Sequence, residues 1–571
     1  MADNAADAKA AYAARPWLAS YGRDINPEFE PLPHDNLGQM IRASSQRFAQ
    51  RTAFTTCLDN GLSGSLSFAE ADRLSDRFAA YLLGELGLEA GDRVAIQMPN
   101  CLDYPLAAFG ILKAGLVLVN INPLYTAPEM QQQLRDSGAR VLVLIDLFAD
   151  KLERGLQDTR VEHVVLAGVA DFFPLLSRAL IRAVLTLKRE LPSAKRPVTR
   201  FTTALEKGRT HAGLQLPEPD TDALAALQYT GGTTGTPKGA MLSQRNLLAN
   251  LSQIQAIARP ALRDDNETVL TALPLYHIFA FSFNLLTFYM NGAHNVLCPS
   301  PRPPSKLRKA FRKFPVTKFS GVNLLFRGLL KEDWFRADPP AIDMSIAGGT
   351  ALHESVAEEW RELVGSPVCE GYGLSETSPV VSANQPSGEI RLGTIGLPVP
   401  GTDILLFDES GAVVPPGAEG ELAVRGPQLF GGYWQMEEET REAMRDGWFL
   451  TGDVACMEDD GFLRIVDRKK DVIDVGGFNV YPNEVEQALE RHPGIEEAAV
   501  VGARDADDNE TVLAFVVRSD PALDEKAVAS HARENLTGYK RPTRILFRDS
   551  LPKTSVGKVQ RKSLRDEADK P

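Results

Sequence analysis

Three short aliphatic runs, at 93–98, 117–120 and 141–145, are interleaved with a stretch of helical periodicity at 102–114. Strand–helix–strand alternation with short connections implies parallel βαβ units, and so an α/β fold. The pattern resumes after residue 220, with candidate strands at 224–229, 316–321 and 345–347. Between 380 and 470 the texture changes. Short alternating runs at 403–408, 420–425 and 462–466 are separated by Gly and Pro turns, which predicts an antiparallel β subdomain. A charged stretch, Arg468-Lys-Lys-Asp471, precedes a second βα alternation that runs to the end. The expected division is a large unit over 1–469 and a small one over 470–571. Residues 1–35 read as a tail leading into a helix at 37–49, and no internal repeat is visible.

A chain of 571 residues with 44% hydrophobic content can bury several cores. Its net charge of −13 makes it a poor general partner for nucleic acid, which needs clustered Lys and Arg. The five cysteines are scattered, with no CxxC pair and no zinc-finger spacing, and read as free thiols in a reducing cytosol. The first residues lack a basic start followed by an apolar run, and no apolar stretch reaches spanning length. The expected location is therefore cytoplasmic. One segment, 172–195, stands apart: Leu176, Leu180, Val184, Leu187 and Leu191 share one helical face, and Arg178, Arg182 and Arg189 the opposite one. A basic amphipathic helix suits a peripheral contact with the inner face of a membrane; an ordinary surface helix has the same pattern.

The most informative run is Tyr229-Thr-Gly-Gly-Thr-Thr-Gly-Thr-Pro-Lys-Gly239, which follows a candidate strand. Gly231, Gly232, Gly235 and Gly239 let the backbone turn tightly and present N–H groups to an anion. Thr230, Thr233, Thr234 and Thr236 add hydroxyls, and Lys238, after Pro237, adds a mobile positive charge. Together they make a phosphate cradle. It is not a Walker A loop, because no glycine stands four residues before a Gly-Lys-Ser/Thr.

This run resembles the phosphate loop of the adenylate-forming superfamily of acyl-CoA synthetases, peptide-synthetase adenylation domains and firefly luciferase. Further motifs follow in that family's order: Leu273-Pro-Leu-Tyr-His277, Ala347-Gly-Gly349, Glu370-Gly-Tyr-Gly-Leu-Ser-Glu-Thr377, Gly420-Glu-Leu with Arg425-Gly426, Trp448-Phe-Leu-Thr-Gly-Asp453, Asp467-Arg468, Gly476-Gly-Phe-Asn-Val-Tyr-Pro-Asn-Glu484 and Lys553-Thr-Ser-Val-Gly-Lys558. The resemblance spans about 40 to 570 and is nearest to bacterial long-chain fatty-acid–CoA ligases, including the Leu-Thr-Gly-Tyr-Lys stretch at 536–540. It implies two α/β subdomains and a β-barrel-like subdomain in the large unit, with a small mobile α+β unit behind.

The implied reaction has two steps. A fatty carboxylate attacks the α-phosphorus of ATP, and then the thiol of coenzyme A attacks the acyl-adenylate. Two anions must meet in the first step, so cations are required. By resemblance, Glu376 ligates Mg²⁺, with Thr230 as a second contributor. Tyr372 is the platform for adenine, and Gly348, Gly349, Glu370 and Gly371 border base and ribose. Ser375 lies near the α-phosphate, Asp453 accepts from the ribose hydroxyls, and Arg468 contacts ribose or phosphate. Lys558 is the main catalytic cation, and Lys470 the hinge about which the small unit turns. That turn brings Gly476, Gly477 and Phe478 to the coenzyme A channel.

Three comparisons within the family narrow the acid. The stretch at 276–282 lacks the Asp that holds an amino group. Gly373 stands where acetate-activating relatives carry a Trp, which implies an open pocket. Phe279, Phe281, Phe283 and the run from Gly321 to Phe326 are candidates for an apolar tunnel, in which each buried CH₂ contributes about 0.8 kcal/mol. His277 is placed near the carboxylate. A homodimer is expected by analogy. The competing readings are a fatty acyl-AMP ligase, an aryl-CoA ligase, and an inactive lipid-binding relative.

Overall fold

In this computed structural model, residues 2–230, 237–263, 267–475, 478–504, 510–554 and 557–568 are described. Among them, seven strands form one sheet in the order Thr199–Arg200, His163–Ala167, Val141–Ile145, Arg93–Gln97, Val117–Asn120, Leu224–Thr230 and Lys238–Ser243. All neighbours are parallel except the last pair, a hairpin. A second sheet, of nine strands, has a parallel centre that includes Thr268–Thr271, Lys318–Gly321, Met344–Gly348 and Val368–Gly373. One large apolar cluster joins the two sheets through the helices between them, with Phe78, Phe109, Leu251 and Phe281 fully buried.

The third element of the large unit is an antiparallel sheet built from Asp403–Phe407, Glu419–Arg425, Met444–Arg445, Trp448–Met457 and Leu463–Arg468. It has its own apolar cluster. Two further clusters are made wholly of residues from 473 onward, around Ile495–Arg504, Glu510–Arg518 and Arg544–Arg548. The strand expectations therefore fall on observed strands within a residue or two. Local chemistry explains several boundaries. Phe68–Ala80 starts at a capping box, in which Glu70 N donates to Ser67 Oγ at 3.2 Å and Ser67 N to Glu70 Oε2 at 2.8 Å.

Two expectations need correction. The first 35 residues are not a loose tail. Ala2–Ala13 is helical, and Tyr12 and Trp17 are buried in the core of the antiparallel sheet. An Ala-rich run is intrinsically helical, and an indole is too large an apolar group to be left in water. The amphipathic segment is helical only over Leu175–Leu187, so Leu191 lies outside it.

Two lysines are sunk completely into this fold. Lys113 donates to Asp76 at 2.9 Å and Ser75 Oγ at 3.0 Å, and also pairs with Asp72. Lys318, on the central strand, pairs with Glu267 at 3.0 Å and with Asp343. Glu267 is itself only 5% exposed. Removing one member of such a buried set leaves an uncompensated charge, which costs about 3–5 kcal/mol. Lys318→Met should therefore lower stability to urea by that amount, and adding Glu267→Gln should restore part of it. Equal urea midpoints for wild type and Lys318→Met would contradict this.

Candidate functional site

The glycine–threonine run sits at the carboxyl end of a sheet strand, where α/β proteins bind ligands. Leu224–Thr230 leaves the sheet and Lys238–Ser243 returns antiparallel, with Thr230 opposite Lys238. Gly231, Gly232, Thr233, Thr234, Gly235 and Thr236 lie outside the described residues. Tyr229 directs its side chain to the helix Ala127–Ser137. Its hydroxyl donates to Asp136 Oδ2 at 2.5 Å, while Trp434 Nε1 donates to Asp136 O at 3.1 Å. Gly239 is closely overlaid by the Tyr229 ring, 3.1 Å from where a Cβ would stand. Tyr229 is thus the anchor of the hairpin. Thr230 Oγ1 donates weakly to Lys238 O at 3.4 Å.

Glu376 lies in the turn Ser375–Thr377 that follows the strand Val368–Gly373. It is 6% exposed, and burial raises its carboxyl above the usual range. Phe430 N donates to Glu376 O at 2.9 Å, and the Tyr433 hydroxyl donates to Glu376 Oε1 at 2.8 Å. Among the described residues no Lys or Arg pairs with it. A buried hard-oxygen carboxylate with one oxygen committed to a phenol and no direct ion pair among the described residues suits Mg²⁺, which binds through one or two carboxylates plus phosphate oxygens. No cluster of three metal-ligating side chains occurs among the described residues, so such an ion would depend on the nucleotide for its other ligands.

Asp453 is 3% exposed on the strand Trp448–Met457. Tyr372 Oη donates to its Oδ2 at 2.5 Å, and Arg468 Nε pairs with its Oδ1 at 3.0 Å. Strand register sets the second contact, because Asp453 and Arg468 are direct partners across neighbouring antiparallel strands. The carboxylate in turn holds the Arg468 pKa up. Gly348 and Gly371 are partners across parallel strands, and Gly349 has φ 82°, which favours glycine. Glu370 accepts from Leu352 N at 3.1 Å, and burial pushes its carboxyl up to about 8. Ser375 opens the turn that carries Glu376.

Lys558 reaches this group from the far end of the chain. A tight turn presents it: Thr554 N donates to Lys558 O at 2.8 Å, and Lys558 N to Thr554 Oγ1 at 3.1 Å. Gly557, at φ 91°, makes the reversal and lies against Leu324, 3.5 Å from a notional Cβ. Lys558 keeps exposed surface, yet protein groups crowd its charge. Desolvation and then Arg468 lower its pKa, while Asp453 and Glu376 oppose them. His277 faces the same charge. Its ring is buried, Nε2 finds no partner among the described residues, and desolvation followed by Lys558 lowers its pKa to about 4. The rest of the small unit is tied down by Arg327 Nη1 donating to Glu496 O at 2.7 Å and by His353 Nδ1 against Glu490 at 3.1 Å.

Other expected site residues lie elsewhere. Lys470 is in the turn Lys469–Asp471, and burial lowers its pKa to about 8. Phe478 stacks on Tyr539 at 4.8 Å, within the small unit, and Gly476 and Gly477 lie outside the described residues. Phe281 is corrected to core, since it is fully buried and exposes no surface to any tunnel. Phe279 keeps an exposed part and covers Gly348, while Gly321 is capped by Phe326. Gly373 does not open a pocket by lacking a side chain. A Cβ there would run into the backbone carbonyl of Pro379, so close chain approach requires the glycine. Tyr433, Trp434 and Asp136 are site-supporting residues that the sequence reading missed. The aromatic pair after Gly431-Gly432 was the available signal.

Residues 41–434 match the family model for AMP-binding enzymes, and residues 484–558 match the model for the C-terminal domain of AMP-binding enzymes. A long-chain-fatty-acid–CoA ligase of Escherichia coli O6:H1 is 45% identical over 97% of this chain and 98% of its own. One from Bacillus subtilis is 36% identical over 97% and 98%. Among solved structures, the anthranilate CoA ligase AuaEII in complex with anthranoyl-AMP superposes with a TM-score of 0.80, at 26% identity over 95% of this chain and 99% of that one. The chain belongs to the adenylate-forming AMP-binding enzymes.

The depressed pKa of His277 sets a measurable pH behaviour. Its folded value, about 4, lies below the ordinary 6.5, so the folded state binds fewer protons between the two. Stability is fully present above 6.5 and falls as pH drops toward 4. The ring should show no titration by histidine NMR between pH 5 and 8. His277→Gln should lose less stability than wild type between pH 6.5 and 4. A midpoint near 6.5 for His277 would contradict the burial argument.

Proposed function

We propose that this chain is a long-chain fatty-acid–CoA ligase that converts ATP, a fatty acid and coenzyme A into acyl-CoA, AMP and diphosphate. The observation that carries the proposal is the convergence on one cleft of Lys558, Arg468, Asp453 and Glu376, supplied by three separate parts of the chain. In the first step a carboxylate oxygen bonds to the α-phosphorus, and the bond to the diphosphate oxygen breaks. Lys558 stabilises the negative charge that accumulates there, and Arg468 adds a second cation at the same edge. Asp453 offers two acceptor oxygens to a ribose diol, replacing the Tyr372 and Arg468 contacts it makes now. Tyr372 offers a half-buried ring for the base. When bound through Glu376, Mg²⁺ neutralises phosphate charge. In the second step the sulfur of coenzyme A bonds to the acyl carbon and the bond to AMP breaks. His277, neutral and apolar-walled, keeps this place free of a competing charge.

The small unit turns about Lys470 between the steps. The support is that Lys558 lies against Arg468, Asp453 and Glu376, while Phe478 of the same unit stacks on Tyr539 and stays 57% exposed. Lys558→Ala should lower fatty-acid-dependent pyrophosphate exchange by on the order of 10²–10³ while sparing thioester formation from a preformed acyl-adenylate. Undiminished exchange in that variant would sink the proposal. Palmitate should also outcompete benzoate and 4-coumarate in CoA-dependent AMP release.

The helix Leu175–Leu187 lies at the inner membrane surface in this reading. It docks through Ile181 and turns Leu176 and Leu187, 88% and 85% exposed, outward with Leu175, Leu180 and Val184. Outward leucines and nearby Arg182, Lys188 and Arg189 fit anionic lipid. No helix among the described residues is long and apolar enough to cross a bilayer. Leu176→Glu with Leu187→Glu should reduce co-sedimentation with phosphatidylglycerol vesicles without changing turnover of detergent-dispersed acid. Unaltered sedimentation would remove the membrane role.

A further inference from the structure

Tyr433 stands between two groups of opposite charge. Its hydroxyl donates to Glu376 Oε1 at 2.8 Å, and the Lys238 ammonium lies 5.0 Å from the centre of its ring. One side chain thus touches a buried glutamate with its hydroxyl and a lysine with its ring. Yet neither forms an ion pair among the described residues. The phenol gives the carboxylate a hydrogen bond in place of the ammonium, and its π face holds the ammonium more weakly than a carboxylate would.

The ring is also placed rigidly. The chain at 431–434 runs beside the strand that follows the phosphate run. Gly431 N donates to Met241 O at 2.9 Å, Met241 N to Gly432 O at 3.0 Å, and Trp434 N to Gly239 O at 2.8 Å. Tyr433 N donates to Thr440 Oγ1 at 2.8 Å, and Phe430 packs against the Tyr433 ring at 4.9 Å. Glu376, Lys238 and the returning strand therefore share one fixed reference point. A tyrosine serving only as core would need neither the carboxylate nor the cation.

We propose that Tyr433 is a positioning residue that holds the Glu376 carboxylate with its hydroxyl and the Lys238 ammonium on its ring, setting the first for a divalent cation and the second for a nucleotide phosphate. The inference rests on the ATP-dependent reading above. It separates two binding events that a general packing role would move together.

The test uses the full-length protein. ATP binding without divalent ion is measured calorimetrically in EDTA. Mn²⁺ binding to the protein–ATP complex is measured by the EPR signal of the free ion. Tyr433→Phe keeps the ring and removes the hydroxyl. It should leave metal-free ATP affinity unchanged and weaken Mn²⁺ binding by about tenfold or more, the size expected for a lost hydrogen bond to a charged group. Adding Glu376→Gln to Tyr433→Phe should weaken Mn²⁺ binding by less than Glu376→Gln does alone. Tyr433→Leu, which also removes the π face, should weaken metal-free ATP binding by a few-fold as well. If Tyr433→Leu does not fold, as read by thermal melting, Tyr433→Phe decides alone. Wild-type Mn²⁺ affinity in Tyr433→Phe, or equal losses of Mn²⁺ and metal-free ATP binding, overturns the role. A wild-type protein that binds no ATP overturns the ATP-dependent reading itself, and with it this inference.

Discussion

Asp453 is a carboxylate taken almost entirely out of water, and the arrangement around it organises the cleft. A buried charge survives only with partners, and its partners here come from different places: Tyr372 from the nine-stranded sheet and Arg468 from the antiparallel one. One side chain thereby fastens two sheets at the point where a nucleotide would lie between them. It also marks the end of the large unit. Arg468 follows Asp467, whose Oδ2 accepts from Asn483 N at 2.7 Å, so the first residues of the small unit are tied to the same strand. Burial raises the Asp467 carboxyl to about 6, and Arg561 from the final helix offsets part of that. Chains of paired charge thus run from Asp453, beside Tyr372, to the last helix.

Charge placement also accounts for how one cleft can serve reagents that repel each other. The acids at its floor, Asp453 and Glu376, each have a phenol on them, from Tyr372 and Tyr433 respectively. A phenol donates a hydrogen bond without bringing a formal charge. Lys558 and Lys238 thus keep much of their field for incoming anions, while Arg468 is already paired with Asp453. Burial, which weakens every ionised group singly, strengthens the field between those that remain.

Most of the architecture was legible because it is written in short-range patterns. The aliphatic runs at 93–98 and 141–145 became parallel strands because strands buried on both faces need no alternation of polar residues. The alternating runs after 400 became antiparallel strands for the complementary reason. The candidate site was legible through its motifs, since Glu376, Asp453, Arg468 and Lys558 carry the local contexts that single them out. What escaped depended on long-range contacts. Tyr433 and Asp136 matter only through residues 57 and 93 positions away. Phe281 looked like tunnel lining because an aromatic run has the same composition whether it faces a cavity or a core. Gly373 looked like an opening because a missing side chain does not reveal that backbone occupies its place. The start of the chain looked like a tail because the sheet that receives Trp17 lies four hundred residues on.

The two fully buried lysines, Lys113 at the end of a helix and Lys318 on a central strand, carry a consequence for descent. Neither Lys113 nor Lys318 can be exchanged for a neutral side chain without leaving its acidic neighbours uncompensated, and beside Lys318 one of them, Glu267, is itself buried. Lineages that abandon either lysine must alter its acidic neighbours at nearly the same moment, or pass through forms too weak to persist. Such positions should change in groups or stay as they are, although no reactant ever touches them.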